Sequence, residues 1–233
     1  MKPFSNITNR ADKNLNVTKK LYIVIDVQND FISGSLGSEK AQEVTPKIAE
    51  FLSKVKNKEN TVAIWATRDT HYDKETRHQT YIFGDKVIKQ DISESSWYEN
   101  TLEGKKLPVP HCIKDTWGWQ IDDRVAPYFG DNGKVFDKNT FMSTFLGKHI
   151  GYFMKDIKMD MSHEIDEIVI MGFCTGICVA SNAIYLRGLM PNMKITVLED
   201  LCACVNEDTH KAALTTMGCC QIDIENSEEF LKR

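Results

Sequence analysis

The chain has 233 residues, of which 42% are hydrophobic and 27% charged, the composition of one globular domain rather than of a disordered or fibrous protein. Its 29 basic and 33 acidic residues give a net charge of −4. The basic residues are scattered, so no nucleic-acid partner is expected. No apolar run approaches the roughly 18 residues that span a bilayer, and no membrane association is expected either. The polar N-terminus does not resemble a secretory signal, so we expect a cytoplasmic protein whose seven cysteines are reduced.

The N-terminal third predicts an arm followed by a strand, a helix and a second strand. Residues 1–19 are expected to form a flexible polar arm, and residues 20–233 the folded domain. The apolar, β-branched run Leu21–Val27 predicts a strand buried on both faces of a parallel sheet. Apolar residues then recur at helical spacing after the Thr-Pro pair at 45–46, which predicts a helix that begins there. The run Thr61–Thr67 predicts the second strand.

The middle of the chain gives weaker signals. Residues 72–109 are polar and lack a clean period, which indicates a long connection or insertion. Connections are usually about 4–6 residues long, and much longer ones tend to be lids or partner surfaces. Aromatic residues, Trp97 among them, favour a cover over a site or a subunit contact. Beyond it, Lys134–Lys138 predicts a third strand, and 145–157 has a helical pattern.

The last third alternates strands and helices with short turns. The predicted elements are strands at Glu167–Gly172, Lys194–Leu198 and Cys220–Ile224 and helices at Val179–Arg187 and Glu207–Met217. Gly188 and Gly218 are predicted to end the two helices. Such alternation predicts an α/β fold with a single doubly wound, mostly parallel sheet of about six strands and helices on both faces.

Several reactive side chains follow the predicted strands. They are Asp26, Asp69, His71, Lys138 and the segment Cys174–Cys178. Ligands of open α/β sheets bind outside the carboxyl ends of the strands. Each residue type alone is often structural, because Asp caps turns and buried Cys packs as a small apolar side chain. Their convergence on one edge predicts a functional site.

Cys178 is the favoured nucleophile of this site. It immediately precedes a predicted helix, where free backbone N–H groups and the helix dipole favour the thiolate. Asp26 would accept the thiol proton, and the cation of Lys138 would hold Asp26 ionised. Cys174 is the alternative nucleophile. A redox pair of the two cysteines lacks the two-residue spacing of the thioredoxin motif.

A metal site is the second candidate at this edge. Asp69 and His71 offer an oxygen and a nitrogen ligand two residues apart, and His111 offers a third. Spacing alone leaves surface or capping histidines as an equal alternative, because this short motif also arises by chance.

In chain order these segments form a pattern known from one family. The segments are Asp26-Val-Gln-Asn-Asp-Phe31, Thr67-Arg-Asp-Thr-His71, Pro110-His-Cys112, Lys138 and Gly172-x-x-Thr-x-x-Cys178-Val179. The pattern resembles the cysteine-hydrolase (isochorismatase-like) superfamily, and within it most closely the nicotinamidase/pyrazinamidase branch. The resemblance extends from about residue 20 to 224.

The resemblance implies a set of site residues. They are Asp26, Lys138 and Cys178 as a catalytic triad, and Asp69, His71 and His111 as ligands of one divalent metal ion, most often Zn²⁺, with Fe²⁺ or Mn²⁺ as alternatives. It also implies an oxyanion hole made by the backbone N–H groups of Cys178 and Cys174, after a cis peptide bond between Phe173 and Cys174. Phe31 would stack against the substrate ring.

Three positions depart from the family pattern. The further metal ligand that many members carry has no match in register, which leaves His78 and Glu75 as candidates. Pro108 replaces an aromatic residue of the nicotinamide pocket, so the identity of the best amide is open. Asp115 stands where many members have glycine.

The leading hypothesis is therefore a cysteine amidase that acts on a small, nicotinamide-like carboxamide. The alternatives are a superfamily hydrolase acting on a carbamoyl, ureido or larger amide, a vinyl-ether hydrolase, and a non-catalytic binding member. The vinyl-ether hydrolase fits less well because it requires neither the thiol nor the metal ligands. A homo-oligomer is expected.

Overall fold

A six-stranded parallel sheet organises the protein. The computed structural model describes residues 17–76, 78–83, 86–130, 133–157 and 165–233, so most of the predicted N-terminal arm lies outside the described residues. In chain order, the strands of this sheet are β1 Lys20–Ile25, β2 Thr61–Asp69, β5 Lys134–Lys138, β6 Glu167–Phe173, β7 Lys194–Ala203 and β8 Asp223–Glu225. Their spatial order is β5-β2-β1-β6-β7-β8, and every neighbouring pair is parallel. This confirms the predicted doubly wound fold.

Helices cover both faces of the sheet because side chains of each central strand point alternately to either side. On β1, Tyr22 and Val24 pack with α2 (Glu39–Val55) and α7 (Ser227–Phe230). The alternate residues of β1, Leu21, Ile23 and Ile25, pack against the other layer. That layer contains α4 Thr144–Ile157, α5 Ala180–Leu189 and α6 Glu207–Cys219. Burial on both faces explains why β1 and β6 read as continuous apolar runs.

Helix α2 begins earlier than the sequence predicted. Ser38 is its N-cap, and the Ser38 side chain accepts a hydrogen bond from the backbone N–H of Ala41. The buried face of the helix starts at Ala41, so the apolar period extends more than one turn ahead of the expected start. The Thr45 hydroxyl donates a hydrogen bond to Ala41 O. Thr45 and Pro46 therefore both lie inside the helix rather than at its start. The prediction of a start at residues 45–46 was wrong.

The two predicted glycine stops were also wrong. Helix α5 continues through Gly188 to Leu189, and α6 continues through Gly218 to Cys219. Neither glycine has a positive φ. After α6 the left-handed conformation is adopted by Gln221, with φ of 62°. The chain therefore turns three residues after Gly218.

Residues 72–109 contain regular structure that the sequence did not predict. Strands β3 (His78–Phe83) and β4 (Lys86–Asp91) form a separate antiparallel pair. Two 3₁₀ turns follow, and then the five-residue helix α3 (Leu102–Lys106). A short helix, α1 (Asn29–Ile32), lies after β1. Across the described residues, no helix combines the length and apolar character needed to cross a membrane.

Candidate active site

The site lies at the carboxyl ends of β1 and β6, where the order of the strands reverses direction. From β1 the chain proceeds outward to β2 and β5, and then returns to place β6 on the other side of β1. Such a switch point opens a crevice at the carboxyl ends of the strands. Gly172 allows β6 to approach β1 closely there, because a Cβ at this residue would lie 2.1 Å from Ile25 O.

The segment after β1 sends side chains to three parts of the site. Asp26, with φ of 49°, points into the core and is fully buried. The Gln28 amide holds the backbone of Asp69, accepting from its N–H at 2.7 Å and donating to its carbonyl at 2.9 Å. Asp30 accepts from the backbone N–H of Cys112 at 2.7 Å, next to His111. One six-residue motif thereby fixes the elements around it.

Asp26, Lys138 and Cys178 meet in the interior. Lys138 Nζ lies 2.7 Å from Asp26 Oδ2 and 3.5 Å from Cys178 Sγ. The other oxygen of Asp26 accepts a hydrogen bond of 2.7 Å from the Thr67 hydroxyl. All three side chains are buried, so water screens their charges little. The three residues come from β5 and from the ends of β1 and β6, far apart in sequence.

Burial has the largest effect on the pKa values of Asp26 and Cys178. It raises the pKa of Asp26 against the opposing effect of Lys138. It also raises the pKa of Cys178, which Lys138 lowers in part and Asp26 raises further. Burial opposes the charge of Lys138, but the combined attraction of Asp26, Cys178 and Asp69 outweighs it and holds the pKa of Lys138 well above its usual value. Burial therefore favours the neutral thiol of Cys178, whereas the sequence suggested a thiolate.

Cys174 occupies a different environment. Burial raises its pKa to about 12, and its Sγ lies 3.0 Å from Cys204 Sγ rather than beside a carboxylate. The peptide bond between Phe173 and Cys174 is cis. After Cys174, a wide helical turn, Thr175–Val179, carries Cys178 into α5. We name residues 174–178 the nucleophile loop, after the role that the sequence predicts for Cys178.

Four side chains cluster beside the triad with their ligand atoms within 4.8 Å of one another: Asp69, His71, Glu103 and His111. Asp69 Oδ2 is 3.0 Å from His71 Nε2 and 3.5 Å from His111 Nε2. Glu103 Oε1 is 3.9 Å and 3.7 Å from the same two nitrogens. Ligands about 2.0–2.2 Å from a tetrahedral zinc ion lie about 3.3–3.6 Å apart. The two carboxylates and two imidazoles therefore fit a divalent ion in spacing and donor type.

The surroundings of the cluster orient its histidines. His111 Nδ1 lies 2.9 Å from Val109 O; a proton on Nδ1 leaves the Nε2 lone pair facing the cluster, the arrangement usual for metal-binding histidines. The buried ring of Tyr98 packs edge-on against both histidines, with ring centroids 4.8 Å from His71 and 5.1 Å from His111. Its hydroxyl donates to Leu107 O at 2.6 Å.

Asp69 connects the two groups. One of its oxygens faces His71, and the other lies 3.4 Å from Lys138 Nζ. Although burial opposes it, the charge of Lys138 and the hydrogen bonds from the histidines hold the pKa of Asp69 well below its usual value. The triad and the cluster therefore share one electrostatic environment.

Cys178 and the four side chains of the cluster line one cavity of about 750 Å³. Cys174 and Cys178 line one side, and the four side chains of the cluster line another. Phe31 also lines it, and its ring packs 5.6 Å from the ring of His111. Of residues 72–109, the cavity is lined by Tyr72, Ser95, Ser96, Asn100, Thr101, Leu102, Glu103, Lys106 and Leu107. Trp97 is not among the lining residues.

The structure thus brings together the expected triad, the three expected metal ligands, Cys174 and Phe31. Sequence reasoning missed Glu103: the exposed Glu75 is not in the cluster, and the side chain of His78 lies outside the described part. It also missed Gln28 and Tyr98. Gln28 carried a signal, since a buried amide in the motif after β1 needs partners, whereas Glu103 lies on a five-residue helix that no period reveals. Asp115 adopts φ of 66°, a conformation that glycine takes readily.

Comparison with known proteins agrees with this architecture. The Isochorismatase domain model matches residues 20–228, and the chain belongs to this family. The nicotinamidase of Saccharomyces cerevisiae is 30% identical over 203 residues, which cover 81% of this chain and 90% of that protein. Two crystal structures share the fold. Yeast nicotinamidase bound to the inhibitor nicotinaldehyde gives a TM-score of 0.63 at 22% identity, covering 89% of this chain and 99% of that one. A Pyrococcus horikoshii pyrazinamidase in complex with zinc gives 0.61 at 20%, with the same coverage.

Proposed function

We propose that the protein hydrolyses a small, nicotinamide-like carboxamide to the carboxylate and ammonia, with Cys178 as the nucleophile. The observation that carries the proposal is the position of Cys178, whose Sγ lies 3.5 Å from Lys138 Nζ and lines the same cavity as a four-ligand cluster. The 30% identity to a nicotinamidase supports this choice of substrate class.

The residues define a sequence of proton movements. Cys178 attacks the carbonyl carbon while its proton passes to Asp26, so that an S–C bond forms and the carbonyl oxygen takes the negative charge. The backbone N–H groups of Cys174 and Cys178 bind that oxygen. Asp26 then gives its proton to the leaving nitrogen, ammonia departs, and a thioester remains. Water deprotonated by Asp26 cleaves the thioester, and the proton returns to the thiol.

Lys138 supports Asp26 as the base in both steps, the formation of the thioester and its hydrolysis. Its cation stabilises ionised Asp26 before attack and compensates the charge that builds up near the sulfur. A base with a raised pKa accepts a thiol proton better than an ordinary carboxylate does. The burial of Asp26 that raises its pKa therefore favours the proposed role.

Asp69, His71, Glu103 and His111 would hold one divalent metal ion, for which we propose zinc. The bound ion would supply a Lewis-acidic point that orients the substrate through a ring nitrogen. The donor set of two imidazoles and two carboxylates suits zinc, and also Fe²⁺ or Mn²⁺. Phe31, which packs beside His111, would cover one face of the substrate ring.

Ammonia release from a panel of amides tests the proposal. The panel contains nicotinamide, pyrazinamide, a ureido compound and a larger aromatic amide, and the proteins are the wild type, Cys178→Ala and Cys174→Ala. We expect nicotinamide to be hydrolysed by the wild type and by Cys174→Ala, which keeps its backbone N–H, whereas Cys178→Ala loses turnover. Limiting iodoacetamide followed by mass spectrometry should label Cys178 first.

Other outcomes separate the alternatives. Turnover of the ureido or larger amide alone would replace the substrate class while keeping the nucleophile. Turnover that survives Cys178→Ala would overturn the assignment of the nucleophile. Binding of nicotinamide by wild-type protein that releases no ammonia from any amide would favour a non-catalytic binding member.

A further inference from the structure

The nucleophile loop packs against a part of the protein that does not line the cavity. Behind Cys174 lies Cys204, at the end of β7. Behind Gly176 lies the first turn of α6, and a Cβ on this glycine would be 2.8 Å from Thr209 Cγ2. The loop is therefore supported from behind by β7 and α6, while its other side lines the cavity.

One side-chain hydrogen bond joins α6 to the loop. Thr175 Oγ1 lies 2.9 Å from Nδ1 of His210. Thr175 is fully buried and stands between the two residues whose backbone N–H groups are proposed to bind the oxyanion, whereas His210 is half-buried on α6. A buried hydroxyl without a partner is costly, so His210 stabilises the orientation in which Thr175 is held.

We propose that His210 is a positioning residue for the oxyanion hole: through Thr175 it fixes the backbone of Cys174 and Cys178. This rests on the proposed function. His210 does not line the cavity, so it acts on the reaction only through the loop.

The position of the loop matters most after attack. Before attack the substrate carbonyl carries little charge, and afterwards its oxygen is anionic and depends on well-aimed donors. An interaction made only in the transition state lowers kcat when it is lost and leaves KM nearly unchanged. Removing one oxyanion donor outright costs about 10²–10³ in kcat. We expect roughly a tenfold fall when the donor remains but is less well aimed.

The variants are His210→Ala, His210→Asn and Thr175→Val, with Lys211→Ala as the matched control on the exposed side of α6. An Asn side chain can place a nitrogen or oxygen near the position of Nδ1 and should restore most of kcat. The double variant His210→Ala/Thr175→Val should be no slower than the more impaired single variant, because both remove the same hydrogen bond.

Two inhibitors give a readout that general loosening would not reproduce. The Cys178 thiol adds to the carbon of nicotinaldehyde, forming an S–C bond and converting the carbonyl oxygen to an alkoxide while the thiol proton passes to Asp26. Nicotinate, the planar product, forms no tetrahedral alkoxide, and its charge is shared between two carboxylate oxygens, so its binding depends less on the two backbone donors. His210→Ala should weaken nicotinaldehyde inhibition by the same factor as kcat, and should leave KM and nicotinate inhibition within about twofold.

Wild-type kcat in His210→Ala would overturn the proposal. So would equal losses in KM, nicotinate affinity and melting temperature, or an Asn variant as impaired as the Ala variant. The aldehyde measurement also separates this proposal from the proposed function. If the wild type hydrolyses no amide, the proposed function fails, and weaker nicotinaldehyde binding by His210→Ala still supports the positioning role. Equal nicotinaldehyde binding, or none by either protein, contradicts it.

Discussion

Lys138 is the residue on which the charge balance of the interior depends. Its ammonium faces Asp26 at 2.7 Å and Asp69 at 3.4 Å, and all three side chains are buried. Breaking a buried ion pair by removing one partner is strongly destabilising, because the other charge is left without compensation. Substitutions here will therefore change protonation and stability together, and their design has to separate the two effects.

Lys138→Ala and Asp26→Asn should each lower kcat/KM by about 10²–10⁴, the usual contribution of a positioned acid or base. In Lys138→Ala, Asp26 loses its cation, so its pKa should rise further and the acid limb of the residual activity should shift to higher pH. Asp26→Asn should show no such limb. Steady-state ammonia release across pH measures both.

Lys134→Ala provides the control for these variants, since Lys134 lies on the same strand but is exposed. Circular dichroism must show that each variant is folded. Near-normal turnover of folded Lys138→Ala would show that Lys138 is a structural residue at the strand end, and would remove it from the triad.

Gln28 offers a second prediction at this scale. Its amide satisfies both backbone groups of Asp69 and also donates to Trp119 O. Gln28→Ala should lower the free energy of unfolding by about 1–3 kcal/mol for the polar groups left unpaired. Because Asp69 would be less well oriented, zinc affinity should fall about 10–100-fold. Denaturant unfolding and competitive zinc titration measure these effects, and unchanged zinc affinity would show that Asp69 is held by other contacts.

Among the elements, the strands were the most predictable. The runs that form β1, β2 and β6 are long, apolar and β-branched, so they read as strands buried on both faces, and the reactive residues at their ends could be placed on one edge. Helix ends were less predictable, as Pro46 and Gly188 show. Both residues often mark helix ends, but burial of the apolar face of α2 and α5 outweighs that local preference.

The short elements of residues 72–109 could not be predicted from the sequence. The helix that carries Glu103 has five residues, too few for a period. Its position depends on tertiary contacts such as those of Tyr98 with the two histidines. In the sequence, Glu103 cannot be distinguished from an exposed glutamate, because only the tertiary fold brings it close to Asp69. Short tertiary-determined elements leave little trace in local sequence.

The contribution of this segment is tested by Glu103→Gln, with the exposed Glu99→Gln as the matched control. Replacing the carboxylate by an amide removes an anionic ligand, so zinc affinity should fall about 10–100-fold while the fold is retained. Glu99→Gln should bind zinc as the wild type does. Dialysis against a chelator series with elemental analysis gives the affinities. Equal zinc retention by both variants would mean that Glu103 is not a ligand.

At the scale of the whole molecule, the sheet separates the proposed catalytic groups from a buried ion pair that stabilises the fold. The ends of β1 and β6 hold buried charges at the site, while at the opposite edge Glu167, at the start of β6, is fully buried and paired with Arg233 at 2.6 Å. The Arg233 and Thr196 side chains lower the pKa of Glu167 despite its burial. Stability from Glu167 is therefore present above its unfolded pKa of about 4.3 and is lost as pH falls through the lower folded value.

Asp26 behaves in the opposite way, and this predicts that activity is lost on acidification before the fold is. The proposed base must be ionised, and burial raises its pKa above the model-peptide range, so kcat/KM should fall through a limb that lies above about 3.9. Because the pKa of Glu167 is lowered whereas that of Asp26 is raised, we expect the Glu167 pair, whose contribution is lost only below about pH 4.3, to weaken after Asp26 has begun to take up protons. We expect circular dichroism to stay native where ammonia release has already declined, with full activity restored on returning to neutral pH.

Because protons also compete with metal for His71 and His111, the profile is measured at two zinc concentrations. A limb that moves with zinc would assign the loss of activity to the metal ligands, whereas a limb that does not move assigns it to Asp26.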